Sequence, residues 1–546
     1  MLQEQLARRL VMRRLARSPH VTRIFAHNIT YTPNSRPHLP FLSIPSKNPR
    51  ARDFSTETKQ WLKHEARLVA RYSIGIWGVF FCASVLYWAI NQEMLEREYP
   101  TPHEWSFSTR VCFRNAAEVP HRRDSPVIPW VEVMNYAQNV ILRCENPDID
   151  GAGVKELVEG SIYVDGVGRL GLDVSEKSEN WRRGYYETLM LIAKATEQLD
   201  GWMRDKTRSM VFPPEQVVGP SNPNPKPIPA HIRGAPKEED CEVAYEPAEN
   251  YYLRILTTKG FTSRQKMDAA LAYASFLDFK KLTDAAESMY KWALSLAIED
   301  QPQSAVPLYD SRTLALNEKA GPPPANLLTA LTAFATHKAS IGDVSTALPI
   351  FISVLKARRT LADHPPPLPP AGPRPSLFET ISAFVQQPPY PPPPDDGTSP
   401  PWRSPQELCE EAGLSLYIGE ILFATHGKED GVAWTREAVD AAEEELREIG
   451  NKAGGDAARK TCRECLSAGL FNWSTMAAKL AQEEASRKAK GEGSGFSLWT
   501  SKAKEDASGG RWEAEEGVVK ERIRRTRELL EDAKPADNPL LMLFKA

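Results

Sequence analysis

Ala269-Ala-Leu-Ala-Tyr-Ala-Ser-Phe-Leu-Asp-Phe-Lys-Lys-Leu-Thr-Asp-Ala-Ala-Glu-Ser-Met-Tyr-Lys-Trp-Ala293 is the stretch on which the fold turns. Tyr273, Ala274 and Leu277 belong to a leading helix, and Ala286, Tyr290 and Ala293 to a second. Small residues stand where two helix backbones must approach and large ones fill the facing holes, the pattern of a packed helix pair.

The pattern returns twice. Leu331, Phe334 and Ala335 precede a Gly342-Asp343 turn suited to a helix C-cap, and Ala347, Phe351 and Val354 follow it. Gly419 and Leu422 precede His426-Gly427, with Gly431, Thr435 and Ala438 beyond, the weakest match of the three. Tetratricopeptide repeats place one such antiparallel pair in ~34 residues. Ala274, Ala335 and Gly419 lie 61 and 84 residues apart, so inserted material must separate the pairs. Much of it is proline: the chain has 45 prolines in 546 residues, concentrated in segments such as His364 to Pro405 with its run Pro391-Pro392-Pro393-Pro394. That run reads as a plain disordered insertion rather than a ligand for an SH3- or WW-type module. The same Ala/Leu/Tyr periodicity also suits an ordinary helical bundle, and that alternative stays open.

Upstream lies Tyr72-Ser-Ile-Gly-Ile-Trp-Gly-Val-Phe-Phe-Cys-Ala-Ser-Val-Leu-Tyr-Trp-Ala-Ile90, 19 residues without a charge. At ~1.5 Å per residue it matches a hydrocarbon core of roughly 30 Å. Aromatic residues near both ends favour a bilayer over a buried core helix. Lys59, Lys63, Arg67 and Arg71 precede it, while Glu93, Glu96 and Glu98 follow, so the positive-inside rule keeps the N-terminal side in the matrix if the membrane is the mitochondrial inner one. That compartment is expected from the leader: Glu4 is the only acid up to Arg52 among ten arginines and lysines, a transit-peptide composition, with cleavage expected between Phe54 and Ser55. The bulk of the chain then faces the intermembrane space.

After the span, Tyr99-Pro-Thr-Pro-His-Glu-Trp105 should stop the helix and start a stiff juncture. Helices are expected near Phe107–Ala117, Trp130–Cys144 and Trp181–Leu199, with a short hairpin or loop over Ile162 to Val174. The resulting plan is a presequence (1–54), a basic matrix segment (55–71), the span (72–90), a helical block (91–211) and a Pro-rich loop (212–247). Repeat-like pairs (248–363), a Pro-rich disordered insertion (364–405), further repeat-like and capping helices (406–488), and a low-complexity, charged tail (489–546) follow. The expected fold is all-α, a tetratricopeptide-like solenoid behind one membrane helix.

Chemistry is sparse. Gly166-Val-Gly168-Arg-Leu-Gly171 is formally a dinucleotide fingerprint, but no helix opens at its last glycine. No Walker A, H-E-x-x-H or G-x-S-x-G motif is present. Cys462-Arg-Glu-Cys465 lacks a second pair for zinc, and reads as two small apolar residues on a helix face or as a local disulfide. A net charge of -3 offers nothing to nucleic acid. No catalytic residue, cofactor or metal is expected.

Taken together, the span, the Tyr99–Trp105 juncture, Asn180-Trp-Arg-Arg-Gly-Tyr-Tyr-Glu187, Ala269–Ala274, Tyr417-Ile-Gly-Glu-Ile-Leu-Phe-Ala424 and Trp434-Thr-Arg436 resemble the tetratricopeptide-repeat adaptor subunits of the fungal mitochondrial i-AAA protease supercomplex. The resemblance runs from about Tyr72 to Trp473. It implies a non-enzymatic adaptor that helps deliver unfolded or misassembled proteins to that protease, with the protease, its other adaptor subunits and unfolded clients as partners. The long Pro-rich insertion and Lys338, at a position where a repeat buries an apolar residue, depart from the pattern. A solenoid's leading helices would line a concave client surface with Asp268, Leu271, Ser275, Asp278 and Phe279, then Thr329, Thr332 and Thr336, then Leu416, Glu420 and Phe423. A membrane-tethered scaffold for assembly of an inner-membrane complex would use the same helices.

Overall fold

The computed structural model describes residues 56–122, 127–157, 160, 162–164, 168–228, 232, 234–302, 306–365, 389–425, 427–450, 455–491 and 510–530. The expected presequence and its Phe54–Ser55 junction lie outside them, as do Gly166, His426 and most of the C-terminal tail. The described chain is mostly helical, and it divides into two units at the Tyr87–Trp88 bond.

Helix α1, Thr56–Glu98, carries the span and extends it at both ends. In the first unit Tyr72, Ile74, Trp77, Phe80 and Phe81 are all exposed. Such a continuous apolar surface is not tolerated in water, and it suits lipid. Among the described residues α1 is the one helix long and apolar enough to cross a membrane, which fits a single-pass membrane protein.

In the second unit α1 ends at Glu98, two residues before Pro100, as the prolines require. Glu96 does not behave as a flanking charge. It is buried, its Oε1 accepting from Thr101 N (3.1 Å) and Oγ1 (2.8 Å) and pairing with Arg110 (3.0 Å), while its Oε2 pairs with buried Arg114 of α2 (Phe107–Glu118). The juncture continues into Trp105, buried against α4 (Glu179–Gln198), where a Cβ at Gly184 would come within 2.8 Å of the indole and 2.7 Å of Pro102. Only glycine fits there, so the Tyr99–Trp105 and Asn180–Glu187 motifs are two sides of one contact.

Helix α3, Trp130–Glu145, and α4 pack with α2 and α5 (Ala248–Thr257) around Trp181, Tyr185, Leu189, Ile192 and Tyr252. The region between them is more structured than a loop. Strands β1 (Lys155–Glu156) and β4 (Leu172–Asp173) pair antiparallel, β2 (Tyr163–Val164) and β3 (Gly168–Arg169) form the expected hairpin, and Gly171 leads into β4 rather than a helix. The expected 212–247 loop contributes to a three-stranded sheet, with β5 (Met203–Asp205) between β6 (Met210–Phe212) and β7 (Cys241–Val243).

The helix pairs follow. Helix α6, Ser263–Phe279, opens with a Thr262/Gln265 capping box and packs on α7 (Thr283–Ala297). Helices α8 (Ala325–Ser340) and α9 (Val344–Arg359) turn at Gly342, whose φ of 86° needs glycine, and Asp343 caps α9 by accepting from Thr346 N at 3.3 Å. Ala274, Leu331, Phe334, Ala347 and Phe351 share one core with Ile418 of α10 (Pro405–Thr425). Lys338 is accommodated because its ammonium pairs with Glu287 at 3.0 Å and lies 5.6 Å from the centre of the Phe334 ring.

Helix α11, Lys428–Ile449, crosses α10 backbone to backbone. A Cβ at Gly431 would stand 2.6 Å from Gly419 O and from Phe423 N. Gly431→Ala must therefore push the helices apart, and we expect a loss of about 1–3 kcal/mol in a thermal melt. Gly413, in the same α10 but with nothing within 4 Å of its would-be Cβ, is the matched control. Gly413→Ala should gain about 0.5–1 kcal/mol from helix propensity.

Helices α12 (Asp456–Gly491) and α13 (Arg511–Leu530) complete a third core around Leu466, Trp473 and Val519. Cys462 pairs with Cys409 of α10, 53 residues away, and not with Cys465, which stays a buried thiol. Cys409, on a second helix with its Cα 5.1 Å from that of Cys462, takes the bond in place of the i,i+3 neighbour.

Candidate functional site

The eleven residues read as a client surface do not make one lining. Thr329, Thr332 and Thr336 donate their hydroxyls to the carbonyls of Ala325, Leu328 and Thr332 in their own helix. Leu416 is buried, Leu271 is half-buried against the core, and Phe423 is half-buried against the α10–α11 crossing. Asp278 turns inward: its carboxylate meets His337 Nδ1 at 2.8 Å and accepts from Tyr290 Oη at 3.1 Å. This node ties α6, α7 and α8 together. Asp278→Ala leaves a buried imidazole and phenol without their partner, so we expect about 1–3 kcal/mol of destabilisation, read from a urea titration.

The remaining positions fall on separate hollows. Ser275 and Phe279 of α6 line one of about 720 Å³, facing Tyr186, Met190, Lys194 and Gln198 of α4. Phe279 is 82% exposed. Thr332, Leu416 and Glu420 line a second of about 370 Å³, between α8, α10 and α12, where Glu420 accepts from Asn472.

The contribution of α4 escaped the sequence reading. Trp181, Tyr185, Leu189 and Ile192 declared its buried face, but Tyr186, Met190, Lys194 and Gln198 form a second row at spacing four. That row is the signal that was available. It continues toward the N-terminus of α4 in a further hollow of about 540 Å³, lined by Arg182, Arg183, Tyr186, Glu187, Arg264 and Asp268 together with Pro393, Pro394, Asp395 and Asp396. No protein family and no curated protein matches the chain.

Residues 389–404 thus differ from a free insertion, while 366–388 lie outside the described residues. They form no helix or strand, as their prolines demand, yet they are pinned along α4, α6 and α8. Arg183 Nη1 donates to the carbonyls of Pro391 (3.2 Å) and Pro392 (3.1 Å), Gln301 to that of Thr398 (2.7 Å), and Asn326 Nδ2 to that of Asp396 (2.8 Å). Gly397, at φ 69°, sits so close to Asn326 and Arg264 that no side chain fits. Burial raises the Glu187 carboxyl above its ordinary value despite the opposing charge of Arg183, and burial likewise raises the Tyr186, Tyr390 and Asp268 acids. This face is a partly desolvated groove with backbone-directed donors, apolar flanks and one exposed aromatic ring. It is suited to holding extended chain. Among the described residues no group of three side chains could hold a metal ion.

Proposed function

We propose that the chain is a membrane-tethered, tetratricopeptide-like solenoid that acts as a non-enzymatic adaptor. In this reading it binds unfolded or misassembled proteins and helps deliver them to the mitochondrial i-AAA protease. The observation that carries the reading is the α4–α6 hollow, where Ser275 and the exposed Phe279 face a second helix's row of mixed apolar and polar side chains. Aromatic and aliphatic side chains interleaved with Glu187, Lys194 and Glu197 offer unfolded segments contact area and polar partners without reading sequence. The helix pairs α6–α7, α8–α9 and α10–α11, joined by short turns, support the solenoid. The Cys409–Cys462 disulfide supports an oxidising compartment such as the intermembrane space for the residues beyond the span. Tethering raises the local concentration of the groove near any protease in the same bilayer, so weak client contacts suffice.

Affinity purification of the full chain from mitochondria, with client turnover followed in a deletion strain, tests this. Recovery of an ATP-dependent membrane protease and slower decay of unfolded clients are expected. If no such protease is recovered and clients decay normally, the adaptor reading fails. Recovery of a single stable respiratory assembly instead would favour a scaffold.

A further inference from the structure

Tyr390-Pro-Pro-Pro-Pro-Asp-Asp-Gly397 lies on α4 in a way that packing alone does not require. Tyr390, Pro391, Pro392 and Pro393 each precede a proline, so steric exclusion of the helical region holds all four extended, near polyproline II. In that conformation the carbonyls make no internal hydrogen bonds and project outward. Arg183 collects two successive ones, Pro391 O and Pro392 O, from a single nitrogen, and its guanidinium lies 5.0 Å from the centre of the Tyr390 ring. Glu187 fixes the guanidinium from behind, accepting from Nε at 3.1 Å. Carbonyl contacts of this kind read backbone shape, not side-chain identity. The Tyr390 hydroxyl, by contrast, is buried without a hydrogen-bond partner, so this segment is an imperfect occupant. A neighbouring hollow, which shares Tyr186 and Glu187 with the one this segment lines, extends along Met190, Lys194 and Gln198 to Phe279.

We propose that this face of α4 is a binding site for extended, proline-rich peptide segments carrying an aromatic residue, and that residues 390–396 hold it in cis as a displaceable pseudo-ligand. The inference rests on the adaptor reading only for where such segments come from, namely clients. Arg183 supplies the stacking surface and, from Nη1, the hydrogen bonds that the two carbonyls accept, and Glu187 positions it. Displacement exchanges one polyproline segment for another of the same chemistry, so no helix has to unfold.

The test uses the full chain in lipid nanodiscs and a fluorescein-labelled synthetic peptide with the sequence of residues 387–397, followed by fluorescence anisotropy. Tyr390→Ala weakens the cis segment while leaving the groove intact, and should bind the peptide about tenfold more tightly than the unaltered chain, because a larger fraction of the site is free. Adding Arg183→Ala should remove that gain, as should replacing the peptide's prolines with alanine. If Arg183→Ala unfolds the protein, Arg183→Lys, which keeps the charge but not the planar fork, gives the same loss. Equal binding by Tyr390→Ala and the unaltered chain, or binding that neither Arg183 variant weakens, overturns the proposal. An unfolded, carboxymethylated protein added as competitor separates the two readings. Peptide binding that it displaces supports both. Peptide binding that it leaves untouched upholds the site and counts against the adaptor. Capture of that unfolded protein without peptide binding overturns the site alone.

Discussion

Replacing Glu96 with alanine should destabilise the chain by about 3–5 kcal/mol, the cost of stranding a buried charge whose partner has been removed. The size follows from burial. Glu96 is 2% exposed and the Arg114 side chain 5%, and the same carboxylate also holds Thr101 and Arg110. Burial already pulls the Arg114 guanidinium below its ordinary pKa, with Glu96 opposing, so loss of the carboxylate leaves burial unopposed. Urea titration of the full chain in nanodiscs, followed by tryptophan fluorescence, measures the loss. A companion variant gives the physics a sharper check: Glu96→Leu/Arg114→Leu removes the most buried pair and should recover part of the loss, since a buried ion pair replaced by apolar side chains is close to neutral while Thr101 and Arg110 still lose the carboxylate. A Glu96→Ala chain as stable as the original would mean that the juncture is held by Trp105 and Gly184 alone. Within the second unit, the node ties the last turn of α1 to α2.

Removing the Cys409–Cys462 bond should cost about 4 kcal/mol, the loop-closure entropy restored to an unfolded chain with a closed loop of this length. The bond joins residues 53 positions apart and ties α10 to α12 across the third core. Cys409→Ser/Cys462→Ser and reduction by dithiothreitol should lower the urea midpoint alike. Cys465 does not substitute: burial pushes its thiol up to about 12, which keeps it from acting as a thiolate at neutral pH. Alkylation of the denatured chain without reductant gives the independent readout. Five of the seven cysteines should be modified, and modification of all seven would remove the bond from the account.

Helical periodicity is local, so it was legible. The three expected helices after the span are present to within two residues at every end, as Phe107–Glu118, Trp130–Glu145 and Glu179–Gln198. Gly419 and Gly431 showed the same economy: small residues at a helix crossing can be read from one chain because each lies on a face already set by its own periodicity. The client surface was less legible. Side chains of one leading-helix row are equivalent by spacing, whereas neighbouring helices bury Leu416, turn Asp278 toward His337 and leave Phe279 in solvent.

Charge-free length and helical period by themselves determined the membrane-competent helix and the succession of helix pairs, because both depend on residues within a turn or two of one another. Tertiary structure alone decided that Glu96 is buried, that Cys462 takes Cys409, and that Arg183 grips a proline segment 208 residues further along. Those pairings join elements far apart in sequence, and no local period records which distant surface a folded helix will meet.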